Sequence, residues 1–377
     1  MRGRVLILMC DSGGGHRSVA DAIAGALEHL FPGRYQLQLS DIIADGFPFP
    51  LNLAGRMYGP VVNRLPRSWG LLWHLSNGRR RSPLLLRMVS PLGDGRIRDL
   101  LLNSRPDLVI ATHPWGNHLP ARLLREMGCK APLVTVITDL VSIHHWWLCP
   151  DVDLCLVPTE QVRQVALEAG FAPEKVKMVG IPVDLKLANP AKTKAELRRE
   201  MGLEEDLFTV LLVGGGEGMG NVFPIAKAVA HASLDLQLVV VTGRNEKLRA
   251  RLERVSWEVP TRVLGFATNM PALMHAADVL ITKAGPSTIS EALACGLPML
   301  ISGSLRGQEE GNTEWVVERG GGLFTPTPQR VVKALKELLR PENEALIRMA
   351  EKARLAAKPD AALEAARLVD NLVSENS

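Results

Sequence analysis

Several short strings in this chain hold residues suited to a phosphorylated ligand. The first is Asp11-Ser12-Gly13-Gly14-Gly15-His16-Arg17. Glycines such as Gly14 and Gly15 let a ligand approach the backbone, and His16 stands where a helical pattern begins. A helix N-terminus disfavours imidazolium, so it would hold His16 neutral and basic. The string fits a dinucleotide fingerprint poorly: Ser18 follows Gly13-x-Gly15-x-x, and Asp41 only loosely supplies the acid required after the second strand. No Gly-Lys-Ser/Thr follows, so it is not a P-loop.

The most particular string is Ile281-Thr282-Lys283-Ala284-Gly285-Pro286-Ser287-Thr288-Ile289-Ser290-Glu291-Ala292. A strand ends at Thr282, and Pro286 suits the first helical position, where a missing N–H costs nothing. Ser287 and Thr288 then offer free N–H groups and hydroxyls, which makes a diphosphate site. Glu291 falls one turn on, on the same face. A carboxylate beside a diphosphate would repel it, so Glu291 is expected to reach past it to a ribose diol. Gly307-Gln308-Glu309-Glu310-Gly311-Asn312 spaces carboxamides and carboxylates as a sugar's hydroxyls need. Phe266 and Ala267, just after another strand, could take a flat base.

Two further strings have blander readings. Asp151-Val152-Asp153 is a D-x-D, but it follows Pro150 and precedes an apolar run, which reads as a turn into a strand. His144-His145 stands beside Trp146-Trp147 with no third metal ligand at sensible spacing, so an acceptor-facing loop is expected.

These strings need elements to hold them. The run Val5–Cys10 stops at Asp11, too short for a signal peptide, and reads as a first strand. Val19, Ile23, Ala26, Leu27 and Leu30 follow at helical spacing, and Pro32-Gly33 ends the helix. Further strands are predicted at 35–39, 108–112, 133–138 and 154–158, alternating with helices, which implies a parallel sheet. The polar segment 182–207 has two prolines and reads as a linker. The pattern restarts at Thr209–Val213 with Gly214-Gly215-Gly216-Glu217-Gly218, and strands are predicted at 236–242, 261–264, 279–282 and 298–301. Helices at roughly 329–339 and 342–374 close the chain. The expectation is two Rossmann-like domains, 1–185 and 186–377, facing each other across a cleft, with the last helix able to pack back on the first.

The chain has 377 residues, 46% of them hydrophobic and 22% charged, as in an ordinary globular protein. Five cysteines without a C-x-x-C argue for a reducing compartment and against a structural zinc site. No run reaches the ~18 apolar residues of a membrane span. The net charge of +4 is uneven. Residues 46–105 hold ten arginines, at 56, 64, 67, 79, 80, 81, 87, 96, 98 and 105, against Asp94 and Asp99. Trp69 and Trp73 stand in the same stretch beside Arg79, Arg80 and Arg81, a mixture suited to an anionic interface. Nucleic acid as the partner would leave the diphosphate-type strings unexplained.

The strings SGGGHR, ITDLVSIHHWW, VGGGEGMG, TGRNEKL, GFATNM, ITKAGPSTISEA and GQEEGN resemble monogalactosyldiacylglycerol synthases and bacterial diacylglycerol glucosyltransferases. More distantly they resemble the GlcNAc transferase that makes lipid II. The resemblance covers nearly the whole chain in order. It implies a GT-B fold, an acceptor-binding N-domain and a donor-binding C-domain, inversion at the anomeric carbon, and no metal or other cofactor. The implied donor is UDP-galactose and the implied acceptor 1,2-diacylglycerol, with UDP-glucose or GlcNAc transfer as alternatives. A UDP-sugar epimerase is the rival of another class. The donor residues it implies are Gly215, Gly216, Arg244, Phe266, Ala267, Gly285, Ser287, Thr288, Glu291, Gln308, Glu309 and Asn312. The base would be His16 or Asp139. Gly14, Gly15, Trp69, Trp73, Arg79, Arg80, Arg81 and Trp147 would meet acceptor and anionic lipid. The expected location is peripheral, on the cytoplasmic inner face of the cell membrane.

Overall fold

A computed structural model describes residues 2–64, 66–340 and 344–375, with side chains at 64 and 66–68 outside the description. The side chains of Arg64 and Arg67 of the basic stretch, and residues 342–343 at the start of the helix expected there, thus lie outside the description. The chain divides into two compact units. One comprises Met1–Leu185, Arg306–Gln308 and Asp360–Ser377, the other Lys186–Leu305 and Glu309–Pro359.

The first unit holds six parallel strands: β1 (Gly3–Met9), β2 (Tyr35–Asp41), β3 (Leu108–Ala111), β4 (Leu133–Val136), β5 (Leu154–Val157) and β6 (Val176–Met178), in the order β2-β1-β3-β4-β5-β6. Strands β3, β4 and β5 are buried throughout, which is why they read as unbroken apolar runs and not as alternation. The second unit repeats the plan with β7 (Phe208–Val213), β8 (Leu236–Val241), β9 (Thr261–Leu264), β10 (Val279–Lys283), β11 (Met299–Gly303) and β12 (Gly322–Phe324), in the order β12-β11-β10-β7-β8-β9. In each sheet the order reverses beside the first strand, between β1 and β3 and between β7 and β10. Open α/β sheets bind ligands at the carboxyl ends of the strands flanking such a point.

The three-residue edge strands β6 and β12 escape sequence reading, being too short to show a period. The helix expected over 342–374 is two, Glu344–Ala356 and Ala361–Glu375, because Pro359 cannot continue a helix. The last helix packs on Gly15–Leu30, and the Tyr35 hydroxyl donates to buried Asp370 at 2.5 Å.

The polar segment 182–207 is not all linker. Within it Lys194–Glu200 is a helix, closed by a capping box between Thr193 and Glu196. Its Arg198 is buried: Nη2 lies 2.5 Å from Asp278 Oδ2, Nε donates to the Ala276 carbonyl, and Nη1 to the Glu205 carbonyl. Asp278 also accepts the Thr209 N–H, at the start of β7. Arg198→Ala leaves Asp278 the half-exposed Lys194, 2.8 Å away, and the Thr209 N–H, and is expected to cost about 1–3 kcal/mol, read as a lower urea midpoint for the second unit.

Candidate functional site

In the first unit the turn after β1 is left-handed at Gly13 (φ 68°) and at Gly14 (φ 85°), which caps the helix Gly15–Leu30. A side chain at Gly13 would also lie 3.2 Å from the Tyr58 ring. The turn delivers His16 to the end of β3. There Nδ1 lies 2.8 Å from the Thr112 carbonyl oxygen and 2.9 Å from Thr138 Oγ1, while the Thr112 hydroxyl donates back to the His16 carbonyl. A carbonyl only accepts, so Nδ1 carries the proton and Nε2 keeps its lone pair.

His16 is pushed down to about 4, chiefly by burial, with the Thr112 hydrogen bond working the other way. Burial, and not the helix end anticipated from the sequence, is the main reason the imidazole stays neutral. His113 meets His16 edge to face at 4.6 Å, and it too is held well below the ordinary histidine value by burial and then by His16.

Asp139, the alternative base, is buried and accepts the Trp147 indole N–H at 2.8 Å. Trp147 is fully buried, 6.1 Å from the His16 ring, so it is a wall behind the histidine and not the acceptor-facing residue expected. The His144-His145 loop is also bound inward. The Ser76 hydroxyl lies 3.1 Å from His144 Nε2, and Asn77 Oδ1 accepts the His145 backbone N–H. Asp151 pairs with Arg125, and Asp153 accepts the Leu133 N–H, as a turn entering a strand should. Among the described residues no three His, Cys, Asp or Glu side chains gather as metal ligands would.

Three helices, Ala54–Arg64, Pro66–Ser76 and Arg81–Ser104, carry the basic stretch. Trp69 and Trp73, expected at the lipid face, are half-buried against Tyr58 and His144. The outward apolar residues are others: Leu71 (61% exposed), Leu72 and Leu75 on one helix, and Leu84, Met88 (66%) and Leu92, four apart, on the next. Arg79, Arg80 and Arg81 are exposed at the turn joining them.

In the second unit the site residues sit on turns after β7, β8, β9, β10 and β11. The two glycine turns pack backbone to backbone: a side chain on Gly243 would lie 2.3 Å from the Gly216 carbonyl oxygen, which accepts the Arg244 N–H. Arg244 reaches Glu217 at 3.0 Å and lies over the exposed Phe266 ring at 4.7 Å. Half-buried Ala267 follows. Gly285 caps the helix Pro286–Cys295, with Pro286 at its first position, as the sequence predicts. Ser287 is buried in its first turn, and Thr288 and Glu291 are half-buried.

Two residues expected to orient a hexose are held otherwise. Glu309 is buried, one oxygen 2.5 Å from Lys283 Nζ and the other accepting the Leu305 N–H. Buried Asn312 donates to the Ala284 carbonyl. Both therefore brace the turn after β10. Gln308 is grouped with the first unit, and its Oε1 is buried without a partner. Lys283 was missed by motif reading. Its signal was a lone cation at the end of a strand, two residues before a glycine cap.

Residues 16–183 match the monogalactosyldiacylglycerol (MGDG) synthase family, and residues 209–365 the C-terminal domain of glycosyltransferase family 28. The chain is 38% identical over 391 residues to a probable monogalactosyldiacylglycerol synthase, chloroplastic, of Glycine max, covering 99% of this chain and 72% of that one. The chain belongs to the monogalactosyldiacylglycerol synthase family. Against monogalactosyldiacylglycerol synthase 1 of Arabidopsis thaliana it is 37% identical over 395 residues, with the same coverage. HepE of Anabaena, solved with UDP and glucose, superposes with a TM-score of 0.59 at 16% identity, over 98% of this chain and 100% of that one. That likeness shows the fold, GT-B. The chain is a glycosyltransferase.

Burial pushes both His16 and His144 down to about 4, below the ordinary 6.5. Groups lowered in this way contribute stability that is fully present above 6.5 and is lost as pH falls through about 4. Stability measured by denaturant should thus decline between pH 6.5 and 4. Nitrogen-15 NMR should show His16 as the Nδ1–H tautomer at pH 6; an imidazolium signal there would contradict the assignment.

Proposed function

We propose that the chain transfers galactose from UDP-galactose to 1,2-diacylglycerol with inversion, giving monogalactosyldiacylglycerol. The observation that carries this reading is the 37–38% identity to galactolipid synthases over 99% of this chain. Phe266 with Arg244 would hold uracil, Glu291 the ribose, and the helix end at Gly285–Thr288 the diphosphate. The helix dipole and free N–H groups would steady the leaving group without a metal or other cofactor. His16, neutral with its lone pair at Nε2, would take the proton of the acceptor's 3-hydroxyl, with Asp139 as the alternative base. His16→Ala should lower turnover by ~10²–10⁴ with UDP binding retained, and wild-type turnover in this variant would remove His16 from the mechanism. Radiolabelled UDP-galactose and UDP-glucose, each supplied with diacylglycerol vesicles, test the donor. A faster product from UDP-glucose would overturn galactose.

No helix among the described residues is long and apolar enough to cross a membrane. Diacylglycerol stays in the bilayer, so the enzyme must come to the surface. The exposed leucines flanking Arg79-Arg80-Arg81 support peripheral docking on anionic lipid. Each such arginine contributes about 1 kcal/mol at an anionic surface. Replacing Leu84, Met88 and Leu92 with Ser should lower pelleting with phosphatidylglycerol vesicles. Trp73→Ala should instead lower the melting temperature, since its ring packs inward. Undiminished pelleting of the triple variant would move the docking face elsewhere.

A further inference from the structure

The turn after β10 holds a buried ion pair that the donor reading has not used. Lys283 and Glu309 side chains are 14% and 3% exposed, with Nζ and Oε1 2.5 Å apart. Burying such a pair is expensive, and hydrophobic residues of the same size often stabilise as well. The surroundings are shaped around the lysine. A side chain on Gly215 would lie 3.2 Å from Lys283 Cε, and one on Gly285 would lie 3.1 Å from Nζ. Two glycines, from the turns on either side of the β7/β10 reversal, thus leave the lysine's last two atoms unobstructed. The buried Thr282 Oγ1, near the end of β10, and Asn312 Oδ1, on the helix Glu310–Glu318, have no hydrogen-bond partner. Buried polar atoms without partners are uncommon, and the amide of Asn312 is held at this turn by its bond to the Ala284 carbonyl.

We propose that Lys283 is the cation that receives the β-phosphate of the sugar donor, with Glu309 as the counter-ion that positions it. This rests on the donor reading above. As the acceptor oxygen bonds to the anomeric carbon, the carbon–oxygen bond to the β-phosphate breaks and its electron pair stays on the phosphate. The acceptor's proton goes to the base. The new charge therefore appears on the group beside Lys283, whose ammonium then divides its hydrogen bonds between Glu309 and the phosphate. A cation fixed in advance needs no rearrangement as that charge forms.

The assignment concerns the second phosphate, so the measurement compares UDP with UMP by calorimetry. The double variant Lys283→Gln, Glu309→Gln leaves no buried charge unpaired. It should lose UDP affinity by tenfold or more and hold UMP within threefold of wild type. The ratio of the two affinities is taken within one protein, so a partly unfolded preparation does not distort it. Glu309→Gln alone keeps the lysine but not its charged anchor, so it should lose part of the preference for UDP, less than the double variant loses. A double variant with the wild-type ratio would overturn the role of Lys283, and a Glu309→Gln variant with the wild-type ratio would overturn the positioning role of Glu309. Wild-type protein that bound neither nucleotide would bring down the donor reading itself.

Discussion

A parallel sheet sends all its strands out at one edge, and every strand must then cross back over a face before it can pair again. The backbone groups freed at that edge are the ones that meet ligand. In this chain both sheets obey the constraint without exception, since every strand pair is parallel. His16, Thr112 and Thr138 follow β1, β3 and β4. Gly215, Arg244, Phe266, Lys283 and Glu309 follow β7, β8, β9, β10 and β11. The chemistry is distributed along the sequence because the sheet gathers it, and no single segment holds a whole site.

Close backbone approach is the second theme. Gly218 and Gly243 both have positive φ, and a side chain on either would strike backbone: Gly218 would meet the Thr242 carbonyl oxygen at 2.2 Å. The glycines of the second unit thus serve first to let one turn rest on another. Gly215 and Gly285 differ, because the neighbour of each is the flexible end of Lys283. A glycine cluster in a sequence does not separate these two uses; the neighbour of each missing Cβ does.

The long elements were legible because their physics is local. Central strands buried on both faces appear as apolar runs, and the first helix repeats Val19, Ile23 and Ala26 on one side. What escaped were features decided by distant partners. β6 and β12 exist because a sheet edge was available to three residues each. Glu309 and Asn312 look like sugar ligands in a string of polar residues, yet their partners, Lys283 and Ala284, lie more than twenty positions away. Trp69 and Trp73 were assigned to a surface by type, whereas leucines and a methionine occupy it. Trp147 was assigned to an acceptor by its neighbours, and its indole N–H is committed to Asp139.

The contact that orders His16 is made by a main-chain atom. Any residue at position 112 would present the same carbonyl oxygen, and the Thr112 side chain supplies only the return bond to His16. The proton arrangement of the imidazole is therefore insulated from point substitution at the position that controls it. A scan that replaces side chains one by one would pass over this determinant in silence. Reaching it requires editing the backbone itself, by exchanging an amide for an ester or by shifting the register of β3.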